Sequence, residues 1–208
     1  MLRTPRCRDK SYVLRRPTGE VEEVLRRYDP YARRKRTKVK RLGITVTVDQ
    51  VTIPLGGEVL ARGLRHHLGG TWEAAPPEPG ERDEPLQDLI RIFVPGVLLP
   101  AALAALLRPE LPGVTIREDA GLGLFWFDDP DSELTISAWA VEAGTVLPLT
   151  VPAREPMYEV GIDDVHGPTE ATAAQAWQIA RVLAAELGGI PVDRYGFRIE
   201  AAAELLPR

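Results

Sequence analysis

Asp163, Asp164 and His166 fall together between an alternating apolar stretch, Tyr158–Ile162, and a helical pattern that opens at Thr169. Two carboxylates and an imidazole can hold a metal ion or move a proton, and a helix start offers free N–H groups to an anion. The same residue types are also ordinary at turns and helix caps. Two carboxylates would moreover repel the anion that the helix end attracts. An enzyme reading rests on these three residues alone, and the non-catalytic reading is preferred.

The other candidates for chemistry are weaker. His66 and His67 are adjacent, and neighbouring helical residues point about 100° apart, so one ion cannot be shared on a regular helix. Asp129, Asp131 and Glu133 alternate as in a calcium loop, but an EF-hand needs glycine at its sixth position, where this chain has Leu134. Gly121-x-Gly123 and the double glycines lack a Walker-type Lys-Ser/Thr, and no G-x-S-x-G elbow occurs. Cys7 is the single cysteine, so neither an intrachain disulfide nor a cysteine-rich zinc site can form. No cofactor or metal is expected.

Binding residues are better represented. Arg33, Arg34, Lys35, Arg36, Lys38, Lys40 and Arg41 supply seven cations in nine positions. Such a run can follow a phosphate backbone with release of counterions, and Tyr28 and Tyr31 beside it can stack on unpaired bases. It can equally dock on an acidic protein surface or fold onto the acidic remainder of the chain. A second candidate is aromatic. In Leu122–Phe127, alternation sends Leu122, Leu124 and Trp126 to one face and Phe125 and Phe127 to the other; in the next strand Trp139 points opposite to Ile136 and Ala138. If helices cover one face only, some of Phe125, Phe127 and Trp139 form a binding platform on the open face. If both faces are covered, they are core.

These residues need elements to place them. The strongest is a helix over Thr169–Leu187, with Ala176, Ala180, Leu183 and Leu187 on one face and Trp177, Ile179 and Ala184 widening it. Pro168-Thr169-Glu170 suits its start and Gly188-Gly189 its end. Leu60–Gly70 aligns with Ile179–Gly189 at a constant offset, sharing six of eleven residues, each copy closing on Leu-Gly-Gly. A rougher middle copy runs Leu89–Val94, Pro100–Leu107, Val114–Arg117. Further strands are expected over Ile44–Val48, Leu134–Val141 and Phe197–Glu200, a short helix over Thr18–Tyr28, and a tail helix over Ala201–Leu206. Residues 1–17 show no periodicity and read as irregular.

The expected fold class is α+β: ferredoxin-like, mostly antiparallel sheets built from repeated strand–helix–strand units, with helices on one face. The expected organisation is a basic arm, 1–41, with one short helix, and a body, 42–208, internally duplicated around 44–73 and 158–192. Glu73–Pro85, rich in proline and acidic residues, is the best internal boundary. Hydrophobic residues are 44% and charged residues 27% of the chain, ordinary for a globular protein. The most apolar run, Val94–Leu107, is broken by Pro95 and Pro100 and is shorter than the ~20 residues of a membrane span. No signal-peptide pattern follows Met1, so the expected location is cytoplasmic. The lysine-poor, Ala/Arg/Pro/Gly-rich body suggests a high-GC bacterial source.

The net charge of −4 conceals a polar division: 1–41 holds 15 Lys/Arg against 5 Asp/Glu, and the remainder 11 against 25. No family resemblance reaches motif strength. The expected function is a non-catalytic binding or accessory protein, a complex subunit or an immunity-type inhibitor, whose acidic body meets a macromolecular partner, a protein in the first instance. The alternatives are a nucleic-acid-associated protein gripping phosphates through 33–41, and the enzyme built on Asp163, Asp164 and His166.

Overall fold

The computed structural model describes residues 11–35, 38–76, 88–164 and 166–206. It is α+β, with two antiparallel six-stranded sheets and four α-helices among those residues. The chain divides into two compact units, 1–80 with 207–208 and 81–206. The boundary falls inside the Glu73–Pro85 segment; the expected division at 41/42 is not seen.

The first unit runs β1 (Ser11–Arg15), α1 (Val21–Tyr28), β2 (Arg34–Lys35), β3 (Lys38–Val39), β4 (Thr45–Thr47), β5 (Gln50–Pro54), α2 (Glu58–Leu68) and β6 (Thr71–Ala74). Its sheet order is β2-β3-β4-β5-β1-β6. Residues 11–35 and 38–41 belong to this unit, and β1 lies inside the sheet, between β5 and β6. The reason is a short alternation, Tyr12 and Leu14 buried against Ser11, Val13 and Arg15, which local basic composition hides. Paired positions Tyr12–Ile53 and Leu14–Val51–Val46 form the buried face. Val24 and Leu25 of α1 and Leu60, Ala61, Leu64 and Leu68 of α2 are buried with them. The other face carries Thr45, Thr47, Gln50 and Thr52.

The second unit runs β7 (Asp88–Pro95), α3 (Pro100–Leu107), β8 (Thr115–Asp119), β9 (Leu124–Asp128), β10 (Leu134–Ala140), β11 (Met157–Asp164), α4 (Glu170–Leu187) and β12 (Ile190–Asp193). Its order, β8-β9-β10-β11-β7-β12, has the same connectivity as the first. In each unit a strand and short helix precede a four-strand meander, and a longer helix then crosses the first strand to a new edge. Phe197–Glu200 contributes only an isolated bridge, Val192 to Arg198, and the expected tail helix is a 3-10 turn, Ala202–Leu205.

The core of the second unit lies on one face of its sheet. Ile90, Ile92, Phe127, Ile136, Ala138, Val160 and Ile162 pack with Leu103 and Leu107 of α3 and with Ala173, Ala176, Ile179, Ala180 and Leu183 of α4. α4 starts at a reciprocal cap, Thr172 N–H donating to Thr169 Oγ1 at 3.1 Å and Thr169 N–H to Thr172 Oγ1 at 2.9 Å. It ends at Gly188, left-handed at φ 66. The second glycine of each Leu-Gly-Gly has another cause. A Cβ on Gly189 would stand 2.7 Å from Ile92 Cγ2, and one on Gly70 would stand 2.6 Å from Arg15 O. In both units the chain leaves the helix pressed against the unit's own first strand, where only glycine fits.

Candidate functional site

Two rows of paired residues cross the face of the second sheet away from α3 and α4. One reads Arg117, Trp126, Ser137, Gly161, Arg91, Val192; the other reads Asp119, Leu124, Trp139, Glu159, Phe93, Ile190. The 16-residue connection 141–156 between β10 and β11 folds over this face at its β7–β12 end. There Val151 and Met157 pack on Phe93 and Val192, with Val141 and Leu147 beside them. The β9–β10 end stays open. A cleft of about 490 Å³ results, with Leu122, Leu124, Trp126 and Trp139 as its apolar walls and Ser137, Glu142, Thr145 and Glu159 as its polar groups. That volume lies within the range of small-ligand and side-chain pockets.

The electrostatics are set by carboxylates. Glu159 is buried to 7% exposure in the floor of the cleft, and burial pushes its carboxyl above the usual range although the Arg91 guanidinium opposes this. Arg91 reaches it at 3.6 Å and stands 5.7 Å over the Phe93 ring, behind the cleft and outside its lining. Arg91 Nε is buried without a hydrogen-bond partner among the described residues. Glu142 is exposed at the rim. On the β8 side the Arg117 guanidinium lies 5.4 Å over Trp126 and 3.4 Å from Asp128.

This arrangement divides the expected aromatic platform. Phe127 is fully buried and Phe125 packs against the same helix-covered core. Trp139 lies on the opposite face and lines the cleft with Trp126 and Leu124, from the other alternation of β9. Glu142 and Glu159 have no signature in the sequence, because a lone glutamate carries no spacing signal. The available signal was in β9, where apolar residues occupy both faces, as happens when a sheet is covered on both sides.

The acidic trio does not converge on one side. Asp163 and Asp164 are successive strand residues and point to opposite faces. Asp164 accepts the His166 N–H at 3.0 Å, a local turn, and His166 is exposed. Asp163 has its carboxyl raised by burial, and its Oδ1 finds no hydrogen-bond partner among the described residues. No group of three or more His, Cys, Asp or Glu suited to a metal occurs among the described residues. Asp129 accepts the Gly113 and Asp131 N–H groups, a turn role. His67 is buried, with Arg27 Nη2 at 3.0 Å from its Nδ1. A guanidinium only donates, so that ring nitrogen is the acceptor in this contact.

Within the basic run, β2 and β3 pair antiparallel at the edge of the sheet. Arg33, Lys38 and Lys40 are exposed, and Arg34 and Lys35 occupy strand positions. Arg36 lies outside the described residues, as does Cys7. Arg41 is committed elsewhere: its Nε is 3.2 Å from the buried Asp29 carboxylate, and its guanidinium lies 5.6 Å over Tyr31. Tyr31 is 71% exposed, whereas Tyr28 is half-buried, which raises its hydroxyl. No helix among the described residues is long and apolar enough to cross a membrane. No family model matches the chain, and neither a curated protein nor a solved structure shows significant similarity to it.

Proposed function

We propose that this is a non-catalytic binding or accessory protein, and that its second unit engages a protein partner through the cleft on its helix-free sheet face. The observation that carries the reading is the aromatic cleft itself, open at its β9–β10 end and walled on one side by Val141, Glu142 and Thr145 of the long connection. Connections longer than about 12–15 residues are uncommon in compact units and are commonly functional. In the first unit the corresponding β4–β5 connection is only Val48-Asp49, and the face beneath is threonine-rich. One copy of a shared connectivity thus carries a long connection over this face and two half-buried tryptophans on inner strands, the residue type most enriched at binding hot spots. A ferredoxin-like origin of each sheet belongs to the same proposal. It is supported by the split β-α-β formed by β11, α4 and β12 around β7, here widened by a longer meander.

The test is affinity capture from the source cell with the wild-type chain and with Trp126→Ala and Trp139→Ala. The reading expects a protein retained by the wild type and lost, by tenfold or more on the hot-spot scale of about 2 kcal/mol, from both variants. Circular dichroism confirms that the variants are folded. Equal recovery by all three chains removes the cleft from the reading.

A further inference from the structure

Resting on that reading, we propose that the cleft receives an arginine side chain flanked by apolar residues of the partner. The polar lining points this way. Its charged members are Glu142 and Glu159, and no cation among the described residues lines the cavity. Glu159 is already buried with one guanidinium at 3.6 Å, and an apolar guest would seal it in and cover Glu142 without supplying a donor to either. An anionic guest would add repulsion. A guanidinium supplies donors to Glu159 at the floor and Glu142 at the rim, and its planar face can lie against an indole.

The molecule already contains one such contact. Arg117 stands 5.4 Å over Trp126, so the ring does present a face to a guanidinium, and Asp128 at 3.4 Å offsets that charge beside the cleft. Trp126 and Trp139 are diagonal neighbours on adjacent strands, since Trp126 pairs with Ser137 and Trp139 with Leu124. Diagonal positions stand about 7–8 Å apart, roughly two van der Waals thicknesses, enough to admit one flat group between side chains. Leu122 is 74% exposed at the entrance and Leu124 lies behind it, which suits apolar residues on either side of the arginine. The surroundings agree. Residues 81–206 hold 8 Lys/Arg against 21 Asp/Glu, and such a field draws a cationic segment in.

The test uses three capped hexapeptides: leucine alternating with arginine, with citrulline (its neutral isostere), and with glutamate. Binding is read by tryptophan fluorescence and calorimetry on the full chain. The arginine peptide should bind about tenfold or more tighter than the citrulline peptide, and the glutamate peptide should not bind. Glu142→Gln should remove most of the arginine preference, and Glu186→Gln, the same charge change on exposed α4, should leave it intact. Glu142 is exposed, so its variant carries little risk of misfolding.

Equal binding of the arginine and citrulline peptides, abolished by Trp139→Ala, would overturn the arginine assignment and leave the cleft as the binding surface. Equal losses from Glu142→Gln and Glu186→Gln would also overturn it, by reducing the effect to overall charge. Failure of every peptide to bind overturns the assignment, and the capture experiment then decides the broader reading separately.

Discussion

Glu159 stands in the floor of a cleft with a single guanidinium, 3.6 Å away, to offset its burial. Desolvation is the larger effect, so its folded pKa lies above the unfolded one. The folded state then holds an extra proton between those two values, and stability must fall as pH rises through that window. Asp163, raised first by burial, adds a contribution of the same sign. Urea unfolding from about pH 4 to about pH 8 should show Glu159→Gln flattening the decline, by at most about 1.4 kcal/mol per pH unit for one proton. Parallel curves for wild type and variant would show that Arg91 fully compensates the charge, leaving it no deficit for an incoming cation to fill. Asp29 differs in kind. Fully buried, it accepts the Tyr31 N–H at 2.9 Å and pairs with Arg41, so its charge fixes the turn after α1 and leads nowhere outward.

The helix–Leu-Gly-Gly–strand element explains much of what could be read in advance. Its helix is periodic, its cap residues are typical, and its glycines mark the stop, so α4, α2 and most of β7–β11 were legible. Gly70→Ala and Gly189→Ala should each lower stability by about 1–3 kcal/mol in denaturant unfolding, Gly70 the more because its obstacle is the Arg15 carbonyl, which cannot rotate away. Near-neutral effects at both would contradict the close approach. The illegible elements share a physical cause. β1, β2, β3 and β6 span two to five residues among arginines, lysines or polar side chains, and β1 and β6 pair with strands far along the chain. The Arg33–Arg41 run looks like a solvated tail by composition, yet Val39 within it is buried and holds the hairpin to the sheet. The cleft was half legible: Trp139 could be placed by alternation, but one of the cleft's walls belongs to a connection with no periodic pattern.

At the scale of the whole chain, the charge division coincides with the structural one. The first unit holds 18 Lys/Arg against 9 Asp/Glu and the second 8 against 21. Two units of identical strand order thus carry opposite charge, and the cleft lined by Trp126 and Trp139 lies in the acidic one. The four tryptophans report on this difference without further labelling. Trp126 and Trp139 line the cleft, Trp72 is in β6 of the basic unit, and Trp177 packs from α4 against the core on the other side of the sheet. The most direct measurement is the set of four indole N–H resonances of the ¹⁵N-tryptophan-labelled chain, titrated with the leucine–arginine hexapeptide. The account predicts saturable shifts of the Trp126 and Trp139 resonances at one common affinity, with Trp72 and Trp177 unmoved. Shifts confined to Trp72 or Trp177, or no saturable shift at all, would contradict it.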